Sequence, residues 1–421
     1  MDLTRRKALI GLCVAAVPAP RAASAAQRPL RISVPMGLHQ KMIEELGARF
    51  TKANPAIAVE FLGKGDNWDP LLQVTLREGL VNGLPDATWQ SLAYARLLAR
   101  RGYIQPLDPL AGGRAAFTAL GLPEPLLESI SGDSGVHAMP FGTTIPVVYY
   151  NMDLLKRAGH AAAQPPSTWD EIIEVAGKIS ALDRTITGGF IENDASNAWI
   201  FQNLVASSGG RMMTPDLSDV AFNAPEGRSS LELLWRFGDV SGTNMSREQA
   251  RQAFNAGACG ILIRSASGTT SVSEATQRRF ELMVGRLPIP SPKGRLVGAG
   301  HGFMVFTKDT ERQKALWTFF RFAASAEGQM ILARQSGYMP VNMSALGQAD
   351  FLKEYLQINP YHRAAVEALA ITTDQFSFPK DNTVKITDMM ADVMRDVVAH
   401  RTRPDVALKA MADQTRKLLS S

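Results

Sequence analysis

A single proline constrains the plan of this chain more than any other residue. Pro146 interrupts an apolar stretch that runs from Met139-Pro140-Phe141 to Val147-Val148-Tyr149-Tyr150-Asn151 and would otherwise form one long strand. It lacks an amide hydrogen, fixes its own φ and biases Ile145 toward an extended backbone. The segment reads as strand, kink, strand, with the polar break Gly142-Thr143-Thr144 at the bend. Such a pattern suits a chain passing from one lobe to another, with the hydroxyls of Thr143 and Thr144 beside the crossing.

A length of 421 residues exceeds the size at which one hydrophobic core keeps growing, so two domains are expected. Residues 1–25 stand apart. Thr4-Arg5-Arg6-Lys7 precedes the apolar run Ala8–Val17, and Ala23-Ser24-Ala25 forms a small-x-small cleavage site. This is the pattern of an export signal cut near Ala25; the paired arginines point to the twin-arginine type, with a Sec signal as the alternative. Removal of Arg5, Arg6, Lys7, Arg21 and Asp2 lowers the formal charge from +5 to +2. The sequence pI of 9.2 is therefore no argument for a nucleic-acid partner. Cys259 is the one cysteine left after cleavage, which excludes an intramolecular disulfide. No later apolar run approaches the ~20 residues of a membrane span, and a periplasmic protein is expected.

Strand and helix then alternate. Leu30–Val34 and Ile57–Leu62 read as strands on either side of a helix with Met42, Ile43, Leu46 and Phe50 on one face, and Asp86–Gln90 as a third strand after a helix from Pro70. That order predicts an open parallel sheet, whose ligands sit beyond the carboxyl ends of its strands, where Trp68 falls. Pro165-Pro166-Ser167-Thr168-Trp169-Asp170-Glu171 launches a capped helix, Ile191–Ser208 is expected to be a helix with Trp199 in its middle, and Cys259–Ile263 a buried strand ending at Arg264-Ser265-Ala266-Ser267-Gly268. Leu287-Pro288-Ile289-Pro290-Ser291-Pro292 sustains neither helix nor ladder and makes a second crossing. Gly298–Phe306 is expected to be a strand of the first lobe, Ser336–Asn342 a third crossing, and the tail helical.

Few residues suggest catalysis. Gly132-Asp133-Ser134-Gly135, with His137 nearby, admits a serine hydrolase as a competing reading, but the same residues make an ordinary β-turn. Dinucleotide, P-loop and paired-cysteine metal fingerprints are missing from the sequence, so no cofactor or metal is expected.

The ordered set Met139-Pro140-Phe141, Pro146–Asn151, Pro166–Glu171, Phe254-Asn255-Ala256-Gly257 with Cys259-Gly260-Ile261, Ser267-Gly268, and Gly337-Tyr338-Met339-Pro340-Val341 resembles the extracellular solute-binding proteins of ABC importers. The likeness is to their carbohydrate and glycerol-phosphate branch and covers nearly the whole exported chain. It implies an α/β, two-lobed, type II periplasmic-binding-protein fold with three crossing segments, closing on a small molecule and docking to an ABC permease as a monomer. The lobes implied are residues 26–143 with 293–335 and 144–292 with 336–421.

The same resemblance implies the cleft residues. Trp68 and Trp199 stand at aromatic positions, Thr144 with Thr143 replaces a serine, and Ser267, Gly300 and Tyr338 match a serine, a glycine and a tyrosine. Two positions depart: an acidic residue of the glycerol-phosphate binders falls near Gln90, where no acid is present, and an arginine near the last helices is missing, with Lys385 the nearest substitute. If the ligand is anionic, Arg264, His301 or Lys385 could supply charge-assisted hydrogen bonds. An aromatic face suits the C–H face of a sugar or glycerol, and hydroxyl side chains suit its hydroxyls. The expected solute is a sugar, a polyol, or a glycerol-3-phosphate or glycerophosphodiester; a sensor for a membrane receptor is the remaining alternative.

Overall fold

The computed structural model describes residues 28–420 except 66, 123, 133, 194–197, 242–244, 343–348 and 380–381. The export signal lies outside the described residues. β1 (Leu30–Val34) leads through the helix Gln40–Ala53 to β2 (Val59–Gly63), and the helix Trp68–Leu80 leads on to β3 (Ala87–Ser91). The first helix buries Met42, Ile43, Leu46 and Phe50, the stripe that its 3.6-residue period requires. β1 pairs in parallel with both β2 and β3, as helical crossovers demand. Short helices and a hairpin of β4 (Ser131–Gly132) and β5 (Gly135–Val136) bring the chain to β6 (Met139–Thr144).

Ile145 alone separates β6 from β7 (Pro146–Asn151), yet the two strands belong to different sheets. β7 joins β8 (Thr187–Ile191), β9 (Cys259–Ser265) and β10 (Leu282–Arg286) in the order β10-β7-β9-β8. β6 joins the first sheet, completed by β11 (Leu296–Val305), β12 (Met339–Pro340) and β13 (Thr372–Asp374), in the order β12-β6-β11-β3-β1-β2 with β13 also beside β11. Pro146 sits at the first position of its strand, where a missing donor costs least. The Ile145 carbonyl still accepts from Ala266 N–H at 2.9 Å, so the kink is tied to the end of β9.

The buried apolar residues separate accordingly into two large clusters, one around Ile32, Trp89, Phe141 and Phe303, the other around Tyr149, Phe201, Phe237 and Ile261. Three segments join them: Ile145, the proline-rich stretch between β10 and β11, and the chain leaving β12 for the helix Arg363–Glu367, which packs on β7 and β10. β12 and β13 pair with β6 and β11, so the sheet claims five residues of the segment 336–421 that was expected to lie wholly in the second lobe.

Two further expectations change. Ile191–Ser208 is not one helix: β8 ends at Ile191 and the helix begins at Trp199, so Trp199 opens the first turn rather than occupying the middle. The helix Thr269–Thr276, whose apolar periodicity is weak, and the amphipathic helix Ala349–Ile358 were not expected.

The start of β11 is fastened to the second lobe through backbone groups. The Asn203 carboxamide accepts from Val297 N–H at 2.8 Å and donates to the Val297 carbonyl at 3.2 Å, and the Trp199 indole N–H donates to that carbonyl at 2.8 Å. Asn203 is fully buried, so its loss leaves the Val297 N–H without a partner. Asn203→Leu should lower unfolding stability by about 2–4 kcal/mol in urea melts, more than the about 1 kcal/mol of an ordinary exposed hydrogen bond.

Candidate ligand-binding cleft

A cavity of about 390 Å³ opens between the two sheets, within the size range of small-molecule sites. The first lobe supplies its aromatic floor. Asn67 caps the helix Trp68–Leu80, its side-chain oxygen accepting from Trp68 N–H at 2.8 Å, which sets the indole at the carboxyl end of β2. Trp68 stacks on His301 with ring centres 5.2 Å apart and on His39 at 6.0 Å, and meets Trp89 edge-on at 5.0 Å. Trp89 is fully buried and donates its indole N–H to His301 Nδ1 at 2.6 Å, so the neutral ring carries its proton on Nε2. That Nε2 is buried without a partner, as is Nδ1 of His39.

Tyr338 joins this floor to the second lobe. Burial pushes its pKa up to about 12, with Ser267 and Trp68 opposing the rise, so it remains a neutral phenol. Ser267 Oγ lies 2.7 Å from Ser265 Oγ, which lies 2.8 Å from Thr144 Oγ1, and Ser267 N–H donates to Thr144 Oγ1 at 3.0 Å. A chain of hydroxyls thus runs from Ser267 through Ser265 to Thr144 at the first crossing. Gly337 lets the strand approach: a Cβ there would stand 2.3 Å from the Ala266 carbonyl oxygen and 2.7 Å from the Ser267 carbonyl carbon.

The opposite wall is ionic. Arg264 ends β9 at 6% exposure, and Glu192, also 6% exposed at its side chain, lies 3.4 Å from its Nε. Glu192 is gripped through both oxygens by Arg251 at 2.7 Å. Arg264 Nε makes no hydrogen bond of its own, and its guanidinium packs under Gly268, where a Cβ would come within 2.5 Å of Nη2. Burial pulls the Arg264 pKa below its usual range, Glu192 opposing the fall and Arg251 adding to it. Arg247 and Glu248 also border the cavity, Arg247 Nε 3.2 Å from the Glu248 carboxylate. Arg264 thus shares Glu192 with Arg251, and Glu192 is its ion-pair partner among the described residues.

Of the residues expected in a site, Trp68, Thr144, Trp199, Arg264, Ser267, Gly300, His301 and Tyr338 border this one cavity. Thr143 faces a neighbouring cavity instead, because alternation along β6 turns it away from Thr144. Gln90 is fully buried, its side-chain oxygen accepting from Ser91 N–H. Lys385 is exposed on the helix Thr383–Val398 and borders none of the cavities described. His39, Glu192, Arg251 and Ser265 are the additions. His39 follows β1 and could have been found by the strand-end rule, whereas no sequence signal links Glu192 to Arg251.

Ser134 Oγ and His137 Nε2 do meet, at 2.8 Å across the β4–β5 turn. The other ring nitrogen of His137 is buried without a partner, so no carboxylate orients the imidazole. Neither residue borders the cleft. The contact closes a hairpin; Asp133 lies outside the described residues.

Burial holds His39 and His362 down to about 4 and pulls His301 well below the usual histidine value, with His39 contributing. In the unfolded chain these rings protonate near about 6.5, so below that pH the unfolded state binds more protons. The stability that the neutral rings confer is complete above about pH 6.5 and lost as pH falls toward about 4. Urea melts between about pH 7 and 4.5 should show stability falling with a slope approaching about 1.4 kcal/mol per pH unit for each of the three rings, and about a third of the total with His301→Phe and His39→Phe combined.

The family model described as bacterial extracellular solute-binding protein matches residues 37–330. Among the chain's relatives, the sn-glycerol-3-phosphate-binding periplasmic protein UgpB of Rhizobium meliloti is 26% identical over 330 residues, covering 73% of this chain and 74% of its own length. The Escherichia coli UgpB is 24% identical over 301 residues, 67% of each chain. UgpB from Mycobacterium tuberculosis, solved in complex with glycerophosphocholine, superposes with a TM-score of 0.81 at 18% identity, covering 93% of this chain and 98% of its own. Maltose-bound MalE3 of T. maritima reaches 0.78 at 18% identity, with coverages of 93% and 100%. The shared fold is the type II periplasmic-binding-protein architecture, and it extends over both sheets and the cleft. The family model covers most of the chain, both lobes included, and the chain belongs to the bacterial extracellular solute-binding proteins, the periplasmic capture components of ABC importers.

Proposed function

We propose that the cleft captures a polyol bearing a phosphate group, a glycerophosphodiester or glycerol-3-phosphate, in preference to a neutral sugar, and hands it to an ABC permease. The observation that carries this reading is Arg264, a buried guanidinium with an unpartnered Nε, sharing Glu192 with a second arginine. Burying a guanidinium is costly unless it is paired, and the carboxylate beside Arg264 is held through both oxygens by Arg251. An anion entering the cavity would complete the pairing, and Arg264 would then take the place of the arginine missing near the last helices. Trp68 and Trp199 would flank the glycerol, and the hydroxyls of Ser267, Ser265 and Thr144 would bind its hydroxyls. The UgpB relatives, named as sn-glycerol-3-phosphate-binding, and the neighbour solved with glycerophosphocholine support the same solute class; the maltose-bound neighbour makes a neutral sugar the contrast.

In this reading the protein works as a monomer without catalysis, after removal of the signal near Ala25. The two lobes close about Ile145 and the other crossings, and the hydroxyl chain of Ser267, Ser265 and Thr144 is remade with the ligand in place. Export by the twin-arginine route belongs to the same reading.

Thermal shift and calorimetry on the chain from Ala26 test it. Glycerophosphocholine or glycerol-3-phosphate at about 100 times its Kd should add about 2.7 kcal/mol of stability, and maltose none. Arg264→Gln should weaken phosphate-ligand binding by roughly 10–100-fold, the worth of one charge-assisted hydrogen-bonded contact. Binding of maltose instead, indifferent to Arg264→Gln, would replace this solute class with the carbohydrate one.

A further inference from the structure

The cleft continues past the aromatic cavity. On the other side of Gly300 and Gln375, which border both spaces, opens a second chamber of about 840 Å³. Its walls come from the helix Ala95–Arg100 of the first lobe, the loop after the helix Trp199–Ser207, the crossing before β11, and β13 with the residues after it. Arg96, Arg211, Lys293 and Arg295 border this chamber, and no aspartate or glutamate does among the residues whose side chains are described. Arg96 donates to the Glu128 carbonyl oxygen at 3.1 Å and Arg295 to the Gly294 carbonyl oxygen at 2.9 Å, both neutral acceptors. None of the four forms an ion pair among the described residues, as Arg114, Arg228, Arg236 and Arg416 do elsewhere on the surface.

Charge is therefore segregated. The exported chain has a formal charge of +2, and among the described residues the two chambers hold seven Arg and Lys side chains against two glutamates. Four like charges around one cavity repel one another, a cost relieved when an anion enters. The aromatic chamber already has the volume and, in Arg264, the buried guanidinium that a single phosphodiester with its glycerol needs. The second, about twice as large and with four unpaired cations, exceeds that need.

We propose that the second chamber is an anion subsite, and that the solute carries two anionic groups joined through a polyol. One is received by Arg264 in the aromatic chamber. The other passes Gly300 to lie among Arg211, Lys293 and Arg295, with Arg96 reaching it from the first lobe when the lobes close. The inference rests on the phosphate reading of the aromatic chamber and adds to it the class of solute that fills the whole cleft. Because these cations are exposed, they also act before contact, drawing the solute in at a rate that falls with salt.

Calorimetry on the exported full chain, with two probes, tests this. Glycerophosphocholine has one phosphodiester; bis(glycerophospho)glycerol has two, bridged by glycerol. The native chain should bind the second probe at least roughly tenfold more tightly at low salt, an advantage that shrinks as salt is raised. The double variant Arg211→Gln, Arg295→Gln should erase that advantage while leaving glycerophosphocholine affinity within about twofold and the melting temperature unchanged, since both side chains are exposed. If glycerophosphocholine binds but the second probe has no advantage, or keeps it in the double variant, the second subsite is overturned and the phosphate reading stands. If neither probe binds the native chain, the phosphate reading falls and takes the subsite with it.

Discussion

Everything in this molecule follows from a strand that changes sheets within one residue. β6 ends at Thr144 and β7 begins at Pro146, and a proline cannot donate into the ladder that β6 leaves behind. The break puts the end of one sheet against the end of the other, with Ile145 between them hydrogen-bonded to Ala266. Each sheet must still bury its own faces, so the apolar side chains gather into two large clusters. The space left between them is lined by what lies at strand ends, which is mostly polar. A cleft with hydroxyls at its hinge is thus a consequence of the crossing.

The hinge and the ligand site share atoms. Tyr338 packs beside His301 and borders the cleft together with Trp68 and Ser267, and Ser267 is bound in turn to Ser265 and Thr144 at the crossing. Groups that would meet a solute's hydroxyls also hold the lobes in register. Their bonds are neutral, worth about 1 kcal/mol each, and exchange readily for bonds to a ligand. The aromatic floor is of the opposite character: Trp89, His301 and Trp68 are packed edge to face and ring to ring, and the one hydrogen bond within the group fixes the His301 tautomer. Rigid floor and adaptable hinge together suit a binder that must both discriminate and release.

Much of the fold was legible because local rules suffice for it. The 3.6-residue stripe of Met42, Ile43, Leu46 and Phe50, the Pro146 kink, and the proline-rich second crossing each announce themselves within a few residues. Trp199 was misplaced within its helix because the break after Ile191 is marked only by the polar cluster Asn193-Asp194-Ala195-Ser196-Asn197, without glycine or proline. β13 could not be read from Thr372–Asp374, which has the composition of a loop and becomes a strand only because β11 lies beside it. Of the site, the aromatic and hydroxyl positions fall at strand ends and could be named. Thr143 was named with Thr144, but alternation along β6 sends the two to different chambers.

By itself the sequence determined the parts that depend on neighbours in the chain: an exportable chain, two α/β lobes, the bend at Pro146, and polar residues at the strand ends around it. The pairing of charges was decided in three dimensions. Glu192 and Arg251 lie 59 residues apart and Arg264 is on β9, yet they meet, so that a buried guanidinium shares its carboxylate with a second arginine. Arg96, Arg211, Lys293 and Arg295 are unremarkable one by one and become a single positive chamber only where the crossing brings both lobes together. Electrostatic energy depends on distance through space rather than along the chain, and for that reason the chemistry of the ligand is written in the tertiary structure.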